Sequence, residues 1–94
     1  MLTRRYFVQG RVQGVGFRWY VLREAAALGL RGWVRNTADG RVETLAAGTE
    51  PQHAALYAAL RRGSRGSRVD AITVQDEPET AAATLQEFQI EGAW

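Results

Sequence analysis

GRVQGVGFR, at residues 10–18, is the stretch in which the apolar pattern of the chain changes its period. Before and into it, residues 5–12 alternate in the manner of a half-buried strand. After it, apolar residues recur at helical spacing from Phe17 to Leu28, and Gly29 follows as a stop signal. The stretch therefore predicts a glycine-rich turn that leads from a strand directly into the N-terminus of a helix.

The rest of the chain continues this alternation of strand and helix patterns. Asp39-Gly40 is a strong hairpin turn, and Thr49 begins a segment with a capping residue, an early proline and a glutamine three residues on. We predict further strands at residues 30–36, 41–47, 69–75 and 84–90, a second helix at about 50–62, a loop at 61–68 and a polar connection at 76–83.

This βαββαβ order predicts an α+β fold of the ferredoxin-like kind. Its antiparallel sheet would carry two helices on one face and a short extra C-terminal strand. Ninety-four residues with 46% apolar content can bury one hydrophobic core but not two. We therefore expect a single domain over residues 1–94.

Composition excludes several classes of site. The chain has no cysteine and one histidine, so it offers no disulfide, no thiolate nucleophile and no Cys-ligated or His-rich metal centre. We expect neither a metal nor a cofactor. The sequence also shows no apolar run of signal-peptide or membrane-spanning length, so we expect a cytoplasmic protein that does not enter a membrane.

The glycine-rich turn has the properties of an anion site. Backbone N–H groups converge at such a turn, and the helix dipole adds about half a positive charge there. Arg18 could add a bidentate fork that matches two phosphate oxygens. The turn lacks the lysine of an NTPase loop, the glycine order of a dinucleotide fingerprint and the cysteine of a thiol phosphatase. By itself the pattern is equally compatible with an ordinary turn.

Two motifs resemble the signatures of the acylphosphatase family. GRVQGVGFR at 10–18 is similar to the first signature and GWVRNTADGRVE at 32–43 to the second, and the similarity extends over essentially the whole chain. The resemblance implies that loop amides and the arginine bind a phosphate, and that the asparagine of the second motif positions the attacking water. Carried over, the catalytic residues are Arg18 and Asn36, and the phosphate-binding residues are Gln13, Gly14, Val15, Gly16, Phe17 and Arg18.

The activity that the resemblance implies is hydrolysis of an acyl phosphate to a carboxylate and inorganic phosphate, by direct attack of water at phosphorus. The departing carboxylate is a weak base, so it needs no protein acid to protonate it. Two tasks then remain for the protein: an arginine can stabilise the charge on the phosphoryl oxygens, and a carboxamide can hold the attacking water. Nothing outside the loop predicts a pocket for the acyl group.

Two non-catalytic alternatives share the predicted fold: a phosphate-ligand sensor and an RNA-binding module. Residues 41–47 lack the exposed aromatics that RNA recognition on such a sheet requires, which disfavours nucleic acid as a partner. A sensor would have no need of Asn36. We expect a monomer whose partner is a small-molecule acyl phosphate.

The aromatic and histidine side chains receive structural interpretations. His53 falls on the apolar stripe of the second helix and is assigned no catalytic role. Trp19, Trp33 and Trp94 could stack on a ligand, but helix and strand aromatics usually serve packing, and we assign them to it.

The remaining arginines are expected to be solvated. Arg11 and Arg35 flank the two motifs and could attract an anionic substrate, although a structural role is favoured. Residues 61–68 differ from the pattern of the acylphosphatase family, in which a Gly-Pro turn is common at this point, because Ser64 follows Gly63 here. This loop could contact an acidic partner or nucleic acid, but a solvated loop is the favoured interpretation.

Overall fold

Within residues 1–92, which the computed structural model describes, five strands and two helices follow the predicted order. Trp94, assigned to packing above, lies outside the described residues. The strands are β1 (Leu2–Arg11), β2 (Arg31–Asn36), β3 (Val42–Gly48), β4 (Arg68–Glu77) and β5 (Phe88–Ile90); the helices are α1 (Phe17–Ala27) and α2 (Glu50–Arg62). A single 3-10 turn, Glu79–Ala82, lies between β4 and β5.

The strands form one sheet in the order β4-β1-β3-β2-β5. The first four pair antiparallel, as predicted, and β5 adds to β2 in parallel, so the complete sheet is mixed. This topology, with both helices packed on one face, confirms the ferredoxin-like α+β fold. β1 is an interior strand and pairs with both β3 and β4.

Three strands differ from the prediction by two or more residues at one end. β4 continues to Glu77, two residues into the segment predicted as a polar connection. β1 begins at Leu2 and not at Arg5, because Leu2 already pairs with Gly48 of β3. β5 is confined to Phe88–Ile90, whereas the prediction ran from residue 84. Leu85, in the omitted part, packs against a small cluster on the helix-free face of the sheet and therefore does not continue the strand.

The main core lies between the sheet and the helices. Side chains alternate across a strand, so every second residue of each strand points to the helical face. The residues that meet there are Tyr6, Val8, Val34, Val42 and Ala46 from the sheet and Phe17, Tyr20, Val21, Ala25, Leu56 and Leu60 from the helices. The Tyr20 hydroxyl also donates to the Ala59 carbonyl at 2.7 Å, which joins α1 to α2.

The opposite face of the sheet is held by charged and aromatic contacts. Glu43 is buried and accepts hydrogen bonds from Arg5 and, at 3.0 Å, from Arg35. The Arg35 guanidinium lies 4.5 Å from the ring centroid of Trp33, which is itself buried. The packing role of Trp33 and the structural role of Arg35 are thus both confirmed.

His53 is a hydrogen-bonded core residue, as its position predicted. Its Nε2 lies 2.9 Å from the Leu2 carbonyl oxygen, which can only accept, so Nε2 carries the proton. Its Nδ1 then accepts from the Tyr6 hydroxyl at 2.6 Å. Burial lowers the pKa of His53 and raises the pKa of Tyr6 to about 12.

None of the helices in residues 1–92 is long and apolar enough to cross a membrane.

Candidate active site

The turn between β1 and α1 depends on glycine for its backbone conformation. Gly14 and Gly16 adopt φ angles of 74° and 76°, in the left-handed region that other residues enter only with strain. A Cβ at either position would meet no atom within 4 Å. These glycines are therefore required by φ and not by crowding, and the space beside them is open.

The N-terminus of α1 is left open to a ligand. Gly16 caps it, no side-chain cap from the described residues completes it, and its first turn contains no acidic residue. The amide of Tyr20 makes the first helical hydrogen bond, to the Gly16 carbonyl at 3.1 Å, so the preceding amides lack helical partners. An anion placed here gains both these donors and the helix dipole.

The second helix shows what a closed N-terminus looks like in the same molecule. The Thr49 hydroxyl accepts from the amide of Gln52 at 3.3 Å, and the Gln52 side chain accepts from the amide of Thr49 at 2.7 Å. Glu50 lies in the first turn, where its negative charge interacts favourably with the positive end of the helix dipole. The open end of α1 is thus a local feature and not a general property of this chain.

Sheet topology brings the two signature motifs together. β1 and β2 both run antiparallel to β3, so they are parallel to each other and end at the same edge of the sheet. The glycine turn follows β1, and Asn36 is the last residue of β2. Asn36 shares the face of Val34, which points to the helices.

A cavity of about 190 Å³ lies at this edge. Its lining residues are Val12, Gly14, Gly16, Phe17, Arg18, Trp19 and Asn36. Because about 10–15 Å³ of such volume is enough for one water, the cavity is large enough for a phosphoryl group and an attacking water. The structure therefore unites the two predicted catalytic residues, Arg18 and Asn36, which are eighteen positions apart in sequence.

The side chain of Asn36 has hydrogen-bonding capacity that the protein does not use. Its Oδ1 is buried and has no hydrogen-bond partner among residues 1–92. A buried polar atom in this condition costs about 1–3 kcal/mol. A ligand or a water in the cavity that donates to this oxygen would remove the cost.

Gln13 connects the two halves of the site. Its Nε2 donates to the Thr37 carbonyl at 2.9 Å and to the Arg41 carbonyl at 2.8 Å. These bonds join the loop before α1 to the turn that follows Asn36. The sequence placed Gln13 among the phosphate-binding residues, and the structure shows that its side chain is directed to this turn.

The turn after β2 is itself tightly bonded. The Thr37 amide donates to the Arg41 carbonyl at 2.9 Å, and the Arg41 amide donates to the Thr37 hydroxyl at 3.0 Å. The Thr37 hydroxyl donates to the Asp39 carboxylate and lowers the pKa of Asp39. These contacts fix the backbone that directly follows Asn36.

The acylphosphatase family model matches residues 4–90. This chain belongs to the acylphosphatase family. An acylphosphatase of Koribacter versatilis (strain Ellin345) is 58% identical over 93 residues, which are 98% of this chain and 82% of the relative. One of Nitratidesulfovibrio vulgaris (strain DP4) is 53% identical over 90 residues, covering 96% and 90%. The crystal structure of acylphosphatase from Bacillus subtilis superposes with a TM-score of 0.91 at 42% identity, covering 98% of this chain and all of that one.

Both motifs of the acylphosphatase resemblance lie within the matched range, but not every predicted residue lines the cavity. Gly14, Gly16, Phe17 and Arg18 do so. Val15 is partly buried and packs against the main core, so it contributes to the loop through its backbone alone.

Trp19 lines the cavity and is exposed, which the sequence did not predict. The indole is 65% exposed, so the packing role predicted for Trp19 is wrong. A signal was available, because Trp19 lies off the helical stripe formed by Phe17, Tyr20 and Val21. A large apolar side chain outside the stripe and beside Arg18 faces the solvent at the rim of the site.

Other candidate groups lie outside the cavity. Arg11 is exposed and does not line it. The loop predicted at 61–68 is shorter in the structure, because Arg61 and Arg62 form the last turn of α2 and Arg68 begins β4. Arg61 and Arg65 are exposed. Within residues 1–92 no group of three or more His, Cys, Asp or Glu side chains is placed to hold a metal ion.

Proposed function

We propose that this protein is an acylphosphatase that hydrolyses the carboxyl–phosphate bond of acyl phosphates by direct attack of water at phosphorus. The observation that carries the proposal is the convergence of Arg18, the open N-terminus of α1 and Asn36 on one cavity. Membership of the acylphosphatase family supports the same activity.

The phosphoryl group of the substrate would lie in the glycine turn. Amides of residues 13–18 supply N–H donors, and the Arg18 guanidinium supplies a planar fork for two oxygens. Because the charge of a phosphoryl-transfer transition state is spread over these oxygens, fixed donors stabilise it without reorganisation. We assign phosphate binding to Gln13, Gly14, Val15, Gly16, Phe17 and Arg18, with Gln13 and Val15 acting through the backbone.

Asn36 would hold the attacking water opposite the leaving carboxylate. A carboxamide both donates and accepts, so it can orient a water, but it is too weakly basic to remove a proton. The water oxygen forms a bond to phosphorus while the bond to the acyl oxygen breaks, and that electron pair leaves with the carboxylate. The proton passes to a phosphoryl oxygen or to solvent.

Phosphate release from acetyl phosphate and benzoyl phosphate, measured without added metal in ¹⁸O-labelled water, tests the proposal. We expect turnover with both substrates and the label in inorganic phosphate. Label in the carboxylate would instead show attack at the carbonyl carbon. Absence of turnover with intact phosphate binding would favour the phosphate sensor.

We also infer that the protein acts as a cytoplasmic monomer on a small molecule and not on nucleic acid. The helix-free sheet face argues against nucleic acid as a partner, because the Arg35 and Arg41 guanidinium groups each lie 4.5 Å from an aromatic centroid, those of Trp33 and Phe7. Rings covered in this way offer no stacking platform for bases. Size-exclusion chromatography checks the monomeric state, and a nucleic-acid gel-shift measurement checks that nucleic acid is not bound.

A further inference from the structure

Trp19 lies at the rim of the cavity, where residues 1–92 leave most of its indole uncovered. Its indole is 65% exposed, whereas Phe17, the other aromatic residue of the lining, is 1% exposed and belongs to the core. Indoles dominate the energetics of interfaces when they are covered, so an exposed one beside a binding cavity indicates an apolar contact made by the ligand.

The position of Trp19 relative to Arg18 determines which part of a ligand it can reach. The two residues are consecutive in the first turn of α1 and lie about 100° apart around the helix. Arg18 would hold phosphoryl oxygens, and in an acyl phosphate the organic group is joined to phosphorus through only one oxygen and the carbonyl carbon. When the phosphoryl group lies in the loop, the organic group therefore begins only a short distance away and is directed toward the rim.

The remaining lining offers no comparable apolar surface. Val12 is buried, and Gly14 and Gly16 have no side chains. Arg18 and Asn36 are polar and are assigned to the phosphate and the water. Among the residues that line the cavity, Trp19 is thus the one large exposed apolar side chain that can cover the organic group.

We propose that Trp19 is a specificity-determining residue whose indole packs against the organic group of the substrate and favours aromatic acyl phosphates over acetyl phosphate. The inference rests on the proposed hydrolytic function. An aromatic ring stacks on the indole in an offset or edge-to-face geometry, whereas a methyl group covers little of it.

The test compares benzoyl phosphate with acetyl phosphate in the Trp19→Ala variant. We expect KM for benzoyl phosphate to rise about tenfold, equivalent to about 1.4 kcal/mol, with kcat little changed because the contact is made equally in the ground and transition states. KM for acetyl phosphate should stay close to that of the parent. Trp19→Phe should recover most of the preference for benzoyl phosphate.

Tyr57→Ala is the matched control, because Tyr57 is an aromatic residue of α2 that is 40% exposed and lies outside the cavity lining. It should change neither KM. Equal changes in KM for both substrates in Trp19→Ala, or no change in either, would overturn the assignment of Trp19.

Inhibition or direct binding by phenylphosphonate and inorganic phosphate gives a second readout that needs no turnover. Trp19→Ala should weaken phenylphosphonate about tenfold and leave phosphate unchanged. If the parent protein hydrolyses neither benzoyl phosphate nor acetyl phosphate, the proposed function fails, and the phosphonate comparison still decides on Trp19. If the parent hydrolyses both substrates and Trp19→Ala keeps their ratio, only the role of Trp19 is rejected.

Discussion

At the scale of single residues, the account depends on what a guanidinium and a carboxamide can each do in one cavity. Arg18 and Asn36 both line it, and Asn36 keeps an oxygen without a partner among residues 1–92. The leaving group of an acyl phosphate needs no acid, so charge stabilisation and placement of a water are enough. This division of labour makes the two substitutions informative in different ways.

Replacement of Arg18 should abolish most of the transition-state stabilisation. We expect Arg18→Ala to lower kcat about a hundredfold to a thousandfold, by analogy with loss of an oxyanion-hole donor. Arg18→Lys should fail similarly, because an ammonium group lacks the planar fork. Arg23→Ala, at an exposed position of the same helix outside the cavity lining, is the control and should be near the parental rate. Turnover at the parental rate by Arg18→Ala would rule out the assigned role.

The sequence allowed Arg18 and Asn36 to be named as candidates, but it did not predict what surrounds them. Arg18 and Asn36 could be named because each lies in a motif, and the strand and helix patterns placed both near the ends of elements. The bonds of the Gln13 side chain were not predictable, because their acceptors are backbone carbonyls 24 and 28 residues away. The exposure of Trp19 follows from its position off the apolar stripe, whereas its residue type alone favours packing.

At the scale of elements, the two helices differ in how their N-termini are completed. α2 has a full capping box, whereas α1 begins at a glycine without a side-chain cap from residues 1–92. The capping signals at Thr49 allowed the bounds of α2 to be predicted from sequence. The length of β5 was not predictable from the alternation of residues 84–90. Its length depends on which of these residues pair with β2, and only Phe88–Ile90 do.

Gln13 and Gln52 form a matched pair for testing how elements are held together. Each side chain bridges two backbone groups, Gln13 between the loop and the turn after β2, and Gln52 between Thr49 and Leu28. Gln13→Ala should lower kcat about tenfold, since a small displacement of a reacting group costs up to about a hundredfold. Gln52→Ala should destabilise the fold by about 1 kcal/mol and leave kcat unchanged.

Steady-state kinetics and urea unfolding of both variants check this prediction. An equal loss of kcat in the two variants would mean that Gln13 acts only through global stability. An unchanged kcat in Gln13→Ala would show that the loop and the turn hold their geometry without it.

At the scale of the whole molecule, the fold places the site and the buried hydrogen bonds at different locations. The cavity lies where β1 and β2 end, whereas His53 bonds to Leu2 near the beginning of β1. Chain order and the ferredoxin-like class were predictable because strand and helix periods alternate clearly. The parallel addition of β5 follows from long-range pairing, which local patterns do not encode.

The burial of His53 should make stability depend on pH. The pKa of His53 is lowered by burial in the folded state, so the unfolded chain binds a proton more readily below its ordinary pKa of about 6.5. Stability is therefore fully present above about pH 6.5 and falls as the pH drops toward the folded pKa, by up to about 1.4 kcal/mol per pH unit.

Urea unfolding at pH 7.5, 6.5 and 5.5 measures this slope. The carboxylates with lowered pKa, Asp39 and Glu50, lose their contributions only at lower pH, so this window isolates the histidine. His53→Gln should be less stable at pH 7.5 but should lose most of the slope. A slope in this variant equal to that of the parent would contradict the assignment to His53.

The central claim is that Asn36 makes the anion-binding turn a hydrolytic site. The most direct test compares kcat for acetyl phosphate in the parent and in Asn36→Ala. Phosphate inhibition and thermal unfolding are measured on the same samples. The account predicts a loss of kcat of about a hundredfold to a thousandfold, with the inhibition constant for phosphate and the unfolding midpoint close to those of the parent. Hydrolysis by Asn36→Ala at the parental rate would contradict it.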